Sequence, residues 1–139
     1  MKDLPNSNDT LVIRTDFSDE ADWTRICSEI EAPVGQFRAY VSFVSDLDFA
    51  GLSISALTCL AQRSPYRGSI MFIVDRVSLI DPEHPILVLD LAYEPGRTFR
   101  VISREMWNVE NNLSLANMGF EEFADSVGTD GVFRGFPQT

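Results

Sequence analysis

Three aspartates stand at or near the ends of apolar runs that read as strands: Asp16 after "TLVIRT", Asp75 after "SIMFIV" and Asp90 inside "PILVLDLAY". Carboxylates so placed invite chemistry, because ligands of open α/β sheets gather at the carboxyl ends of parallel strands. Two or three of them on one rim could hold a hard cation such as magnesium, which takes oxygen ligands. The local alternative is that Asp16 opens the next helix and Asp75 a turn. No diagnostic spacing, such as an aspartate pair followed by a lysine, argues against that alternative. Asp90 is the harder case, since a carboxylate inside an apolar run needs a partner. Arg14 and Arg100 are the candidates. A two-residue hairpin at "EPGR" would set Asp90 opposite Val101 and send Arg100 to the other face, which makes Arg14 the expected partner. For Asp90 and its arginine a buried structural ion pair and a binding cleft are both open, local roles are expected for Asp16 and Asp75, and Arg14, Asp16, Asp75 and Asp90 lining one pocket is the alternative.

A second group is polar and uncharged. "WNVENNLSLAN" places Asn108, Asn111, Asn112 and Asn117 within ten residues of Trp107. Asparagine tolerates the left-handed conformation and bonds its own backbone, so two extended pieces joined by a turn at Asn111 and Asn112 are expected. The functional alternative is that Trp107, Asn108, Asn111, Asn112 and Asn117 present an aromatic ring and amides to a binding partner.

The remaining reactive residues carry little. His84, the single histidine, stands in "DPEHP", where prolines and acids predict an exposed loop. Cys27 and Cys59 fall on apolar helix faces and are expected to be core thiols. No phosphate loop, dinucleotide fingerprint or metal-spaced histidine pair is present. No catalytic residue, cofactor or metal ligand is assigned, and an enzyme is the less favoured class.

The elements that position these residues follow from periodicity. Met1 to Asp9 is polar and reads as a flexible arm, and residues 10–136 read as one globular domain. Thr10 to Thr15 is a strand. "SDEADWTRICSEIEAP" is a helix capped by Ser18 or Asp19, with Trp23, Ile26, Cys27 and Ile30 on its apolar face. "FRAYVSFV" is the second strand. A helix capped by Ser53 follows, with Leu52, Ala56, Cys59 and Leu60 inward. "SIMFIVD" and "PILVLDLAY" are further strands, and "EPGR" is a type II turn leading to "TFRVIS". Gly119 opens a short C-terminal helix that places Phe120, Phe123, Ala124 and Val127 inward, with Glu122 reaching back to the cap. Strands apolar on both faces require helices on both sides of the sheet. The expected fold is a single α/β domain with a mixed sheet of about five strands: β-α-β-α-β, then a hairpin and a C-terminal helix. Phe133 and Phe136 in the tail either cover a sheet edge or contact another chain.

Composition bounds the partner. The 139 residues carry 11 Lys and Arg against 21 Asp and Glu, a net charge of −10, and Lys2 is the only lysine. Such a field repels nucleic acid and anionic membrane surfaces and attracts basic proteins. "MKDLPNSNDT" lacks the apolar core of a signal peptide, and runs such as "PILVL" fall short of the ~18 residues of a membrane helix, so a cytoplasmic location is the default.

The blocks "LVIRTDFSDE", "EPGRTFRVI", "MWNVENNLSLANM" and "GFEEFADSVGTDGVFRGF" resemble an uncharacterised bacterial domain-of-unknown-function family over nearly the whole chain. That resemblance implies small, single-domain proteins and transfers no catalytic residue. The closing "ANMGFEEFADSV" is similar to the last helix of the SMI1/KNR4-type (SUKH) superfamily, many of whose members are immunity proteins that bind toxins. A non-catalytic, acidic, immunity-like module binding a basic protein is thus the expected function. A small enzyme or a metal- or ligand-binding protein using the strand-end aspartates is the alternative.

Overall fold

Strands form where β-branched and aromatic residues crowd and breakers are absent from the interior of the run. They are β1 (Thr10–Arg14), β2 (Val41–Val44), β3 (Ile70–Val74), β4 (Pro85–Asp90), β5 (Thr98–Ile102) and β6 (Val132–Phe133). The computed structural model, which describes residues 2–137, joins them in one mixed sheet of order β2-β1-β3-β4-β5-β6. β1 runs parallel to β2 and β3, whereas β4 is antiparallel to β3 and β5. The single α/β domain with a mixed sheet is as expected, with one strand more, because Val132 and Phe133 in the tail pair with Arg100 and Val101 of β5.

Helices α1 (Glu20–Glu31), α2 (Ile54–Arg63), α3 (Arg76–Ile80), α4 (Met106–Ser114) and α5 (Phe120–Ala124) cover both faces. On one face Trp23, Ile26 and Ile30 of α1, Leu79 of α3, Met106, Val109 and Leu113 of α4 and Phe120 and Phe123 of α5 pack on Val12, Phe72, Val88 and Val101. On the other, Leu57, Leu60 and Ala61 of α2 pack with Phe49 on Leu11, Ile13, Met71 and Leu89. Leu4, in the segment read as a flexible arm, is buried in this second core. α1 and α2 sit on opposite faces because two right-handed crossovers run in opposite directions from the order β2-β1-β3.

The caps act as their residue types dictate. Asp19 accepts from the Asp22 N–H at 2.9 Å and Ser53 from the Ala56 N–H at 3.1 Å, satisfying orphan donors of α1 and α2. Glu122 accepts from the Gly119 N–H at 2.9 Å, the expected reach-back onto α5. The Glu94–Arg97 turn closes with Arg97 N–H on the Glu94 carbonyl and Gly96 at φ +102°, as a type II turn requires.

Several local expectations fail for identifiable reasons. β2 begins at Val41, not Phe37, because residues 34 and 37 pair with each other in a tight turn instead of with β1. α2 turns Leu57, Thr58, Leu60 and Ala61 inward and leaves Cys59 exposed. Leu60 is common to both faces, and turning Leu57 inward in place of Cys59 buries the larger apolar side chain. Asp75 opens the helix α3, not a turn. The largest departure is "MWNVENNLS", which is helix α4 and not two extended pieces. Met106, Val109 and Leu113 keep helical spacing and all three are buried, so packing decided between a period of two and one of 3.6.

Candidate docking face

The strand-end residues separate into two groups. Asp16 and Asp75 follow the parallel neighbours β1 and β3 and lie on a common rim. Asp90 lies at the opposite end, since it pairs with Ile70, five residues before Asp75 and roughly 16 Å away along the strand. The four-residue pocket is therefore not assembled. Asp90 is fully buried and satisfied without a cation: Oδ1 accepts from the N–H groups of Ala92 (2.9 Å) and Tyr93 (3.1 Å), and Oδ2 from that of Glu94 (2.9 Å). The expectation that Asp90 faces Val101 and pairs with Arg14 fails because the hairpin loop is longer than two residues. The last ladder pair is Leu89 with Thr98, and Asp90 N–H donates to the Arg97 carbonyl across the loop mouth.

Arg14 is enclosed at the other end. Its guanidinium lies 4.3 Å over the Phe17 ring and 5.0 Å from that of Trp23, and it donates to Glu20 Oε2 (2.7 Å), Ser45 Oγ (3.2 Å) and the Asp16 carbonyl (3.3 Å). Arg100, the alternative candidate for Asp90, instead holds Asp75 through two bonds of 2.9 and 2.7 Å. Burial pushes the Asp75 carboxyl up, but Arg100 and the Ser78 donors outweigh it and hold the group below its ordinary value. Asp16 is lowered by bonds from the Ser18 hydroxyl and N–H. These carboxylates are committed to local partners, and among the described residues no group of three or more His, Cys, Asp or Glu is placed to hold a metal ion.

His84 is buried, contrary to the expected surface loop. Its Nδ1 lies 2.9 Å from Glu29 Oε1, which also accepts from the Ser103 hydroxyl. Burial raises the Glu29 carboxyl, yet the His84 and Ser103 bonds bring it below its ordinary value. Both donors address the carboxylate, so no hydroxyl is polarised toward the imidazole and this is not a nucleophile–base pair. Cys27 is half-buried, and burial, followed by the charge of Glu31, pushes its thiol up to about 11, which keeps it protonated.

The asparagine residues form a scaffold. Asn112 Nδ2 donates to the Asn108 carbonyl (2.9 Å) and to its Oδ1 (2.8 Å), one turn back along α4. Asn108 reaches Glu105, and Asn111 Nδ2 donates to the Arg38 carbonyl at 2.9 Å, fastening α4 to the segment before β2. Asn117 is exposed. Glu110, a residue that no sequence motif marks, carries more of this joint. It is buried, its Oε1 accepts from the Tyr40 N–H (2.8 Å) and Asn111 Nδ2 (3.1 Å), and its Oε2 accepts from Thr10 Oγ1 (3.3 Å). Its signal was present: Glu110 is four residues after Met106 on the stripe that carries Val109 and Leu113.

Beside these amides, large apolar side chains reach solvent together with the exposed Arg38. Trp107, Asn111 and Leu115 share one side of α4 at four-residue spacing. The Phe37 ring stacks on Trp107 with centroids 5.0 Å apart, and Arg38 lies 4.8 Å over the Tyr40 ring. Phe37 is 45% exposed, Tyr40 53% and Leu115 70%, and Val34 bridges to Phe37, so exposed aromatic and aliphatic side chains lie on either side of Arg38. Tyr40 and Leu115 line one shallow cleft of about 200 Å³ with Asp9, Thr10 and Glu110. Trp107 Nε1 is buried and finds no acceptor among the described residues, an orphan donor of a kind that folded proteins rarely keep. Among the described residues no helix is long and apolar enough to cross a membrane.

The chain belongs to the family of the domain of unknown function DUF6924, whose model matches residues 9–136. No curated protein matches it. The family match bears on neither the SUKH likeness nor a bacterial source.

Proposed function

We propose that this protein is a non-catalytic binding module that docks a basic protein through the strip formed by Phe37, Tyr40, Trp107 and Leu115, with an immunity-like role as its most concrete form. The observation that carries the reading is an exposed aromatic strip on a chain of net charge −10. Aromatic anchors at low charge density are the residues that interface cores use, and a surrounding acidic field steers a basic partner toward them. The scaffold beneath the strip supports the same reading. Glu110 and Asn111 hold α4 and the pre-strand segment in fixed relation, which lowers the ordering entropy lost on binding. Of the four asparagines that follow Trp107, Asn117 is the exposed one and can join the rim.

The alternative of a ligand or metal site built from strand-end aspartates keeps only Asp16 and Asp75 on one rim, and no observation favours it. The test is a pull-down from the native host's lysate with wild type, Phe37→Ser and Asn112→Ala baits, at low and high salt. A basic protein recovered at low salt, weakened at high salt and lost with Phe37→Ser alone supports the strip. A blank with wild type at both salts, or capture unaffected by Phe37→Ser, removes it.

A further inference from the structure

The two edges of the sheet are built differently. At one end β6 has two residues, Arg134 beside it is engaged with Glu83 and Asp130, and Phe136 packs back on Phe123 and Phe133. That edge is short, charged and covered, as natural edges usually are. β2, at the other end, reads Val-Ser-Phe-Val, with no charge and no proline. Its backbone polarity is set by its neighbour. Thr10 N–H donates to the Tyr40 carbonyl at 3.2 Å, and Thr10 registers with Val41, so in a parallel ladder residues 40, 42 and 44 turn their backbone groups toward β1. The N–H and C=O groups of Val41 and Phe43 therefore point outward. No backbone or side-chain hydrogen bond from the described residues reaches them.

The flank of this edge has a chemical preference. A groove of about 140 Å³ is lined by Asp9, Glu31, Arg38, Ala39, Val41 and Phe43. Asp9 and Glu31 make no ion pair among the described residues, whereas the one cation, Arg38, is laid on the Tyr40 ring. Apolar side chains flanked by two free carboxylates fit a strand that alternates basic and aliphatic residues.

We infer that the open edge of β2 accepts an extended, basic segment of a partner protein as an added strand; this rests on the protein-binding reading above and names its mode. The outward groups of Val41 and Phe43 supply the ladder, and Glu31 and Asp9 select lysine or arginine on the flank. The aromatic strip, which continues from Phe37 and Tyr40 directly into β2, extends the contact beyond the added strand. A second copy of this chain is the poorer occupant, because edge-to-edge pairing would bring together two chains of charge −10 each.

The test uses a capped peptide of alternating lysine and valine, with an alternating glutamate and valine peptide as control. Binding is followed by calorimetry and by amide hydrogen exchange of the full chain. The lysine peptide is expected to bind at low salt and to slow exchange at Val41 and Phe43, and the glutamate peptide to do neither. Val41→Pro removes one outward donor without touching the β1 ladder, and should weaken binding about fivefold, the worth of one hydrogen bond. Because proline could perturb the fold, exchange on the wild-type chain stands as the independent readout. Lysine-peptide binding with Val41 and Phe43 unprotected overturns the edge while leaving a basic-partner face intact. Absence of binding overturns the added strand, and the pull-down then judges the broader reading separately. Concentration-dependent protection of these amides without peptide assigns the edge to self-association and overturns the inference.

Discussion

Asp75 is where a structural and a functional account of the strand-end carboxylates give opposite results. Asp75 Oδ1 caps α3 by accepting from the Ser78 N–H at 3.2 Å, and both oxygens are held by Arg100. Replacing it with alanine removes the cap, worth about 1 kcal/mol, and the bonds to a charged donor, worth about 2 kcal/mol. The side chains of Asp75 and Arg100 are 27% and 20% exposed, between the surface regime, where ion pairs are nearly neutral, and the buried regime, where breaking one is severe. A loss of about 3 kcal/mol for Asp75→Ala follows, or about 2 M in urea midpoint at a slope near 1.5 kcal/mol/M. Asp75→Asn keeps the cap and should lose about 2 kcal/mol. In the cycle with Arg100→Met, the coupling should carry most of that second loss.

The pH dependence sharpens the test. The Asp75 carboxyl lies below its ordinary value in the folded protein, so its contribution is complete above the unfolded value of about 3.9 and disappears as pH falls through the folded one. Urea melts of wild type and Asp75→Asn should therefore differ most near neutral pH and converge in acid. Magnesium should leave the wild-type melting midpoint unchanged, because Arg100 already neutralises this carboxylate. A loss below about 1 kcal/mol for Asp75→Ala, a gap constant from neutral to acid pH, or a magnesium-dependent rise in the midpoint would refute the reasoning.

Glu110 accepts only from uncharged donors, so Glu110→Gln should stay within about 1 kcal/mol of wild type while Glu110→Ala loses about 3 kcal/mol by stranding the Tyr40 N–H; equal losses on chemical denaturation would contradict this. Asp90→Ala should lose about 3 kcal/mol by orphaning three loop N–H groups. Asp90→Asn should fall between, since its amide cannot accept from all three, and fast exchange of the Ala92, Tyr93 and Glu94 amides in the alanine variant would locate the damage. Ala116 ends α4 at φ +57° with open solvent around it, so Ala116→Gly should raise stability by up to about 1 kcal/mol; a lowered melting midpoint would show that the left-handed strain is not there to relieve.

What sequence alone determined here is the set of elements whose local chemistry is unambiguous. β1, β3 and β4 are runs in which almost every residue is apolar or β-branched, so they could only be buried strands. Asp19, Ser53 and the Gly119–Glu122 pair cap their helices because their side chains bond the nearest free N–H groups, and Gly96 makes the turn its freedom allows. The net charge, and with it the expected sign of a partner, is likewise a sum over residues.

Tertiary structure decided wherever two local answers were equally good. "MWNVENNLS" satisfies a period of two through Trp107 and Val109 and a helical period through Met106, Val109 and Leu113; only the apolar floor beneath α4 chose the helix and turned Asn108, Asn111 and Asn112 into internal donors. Arg100 and Arg14 were both available cations, and the length of the Asp90–Arg97 loop, a backbone property set by where the ladder ends, gave Asp75 to Arg100 and left Asp90 to its own loop. His84 is buried because Glu29, 55 residues away in sequence, meets it across packed elements. Charge partners, buried polar groups and open edges are settled by distances between residues far apart in the chain. These distances are fixed by packing, to which local pattern is blind.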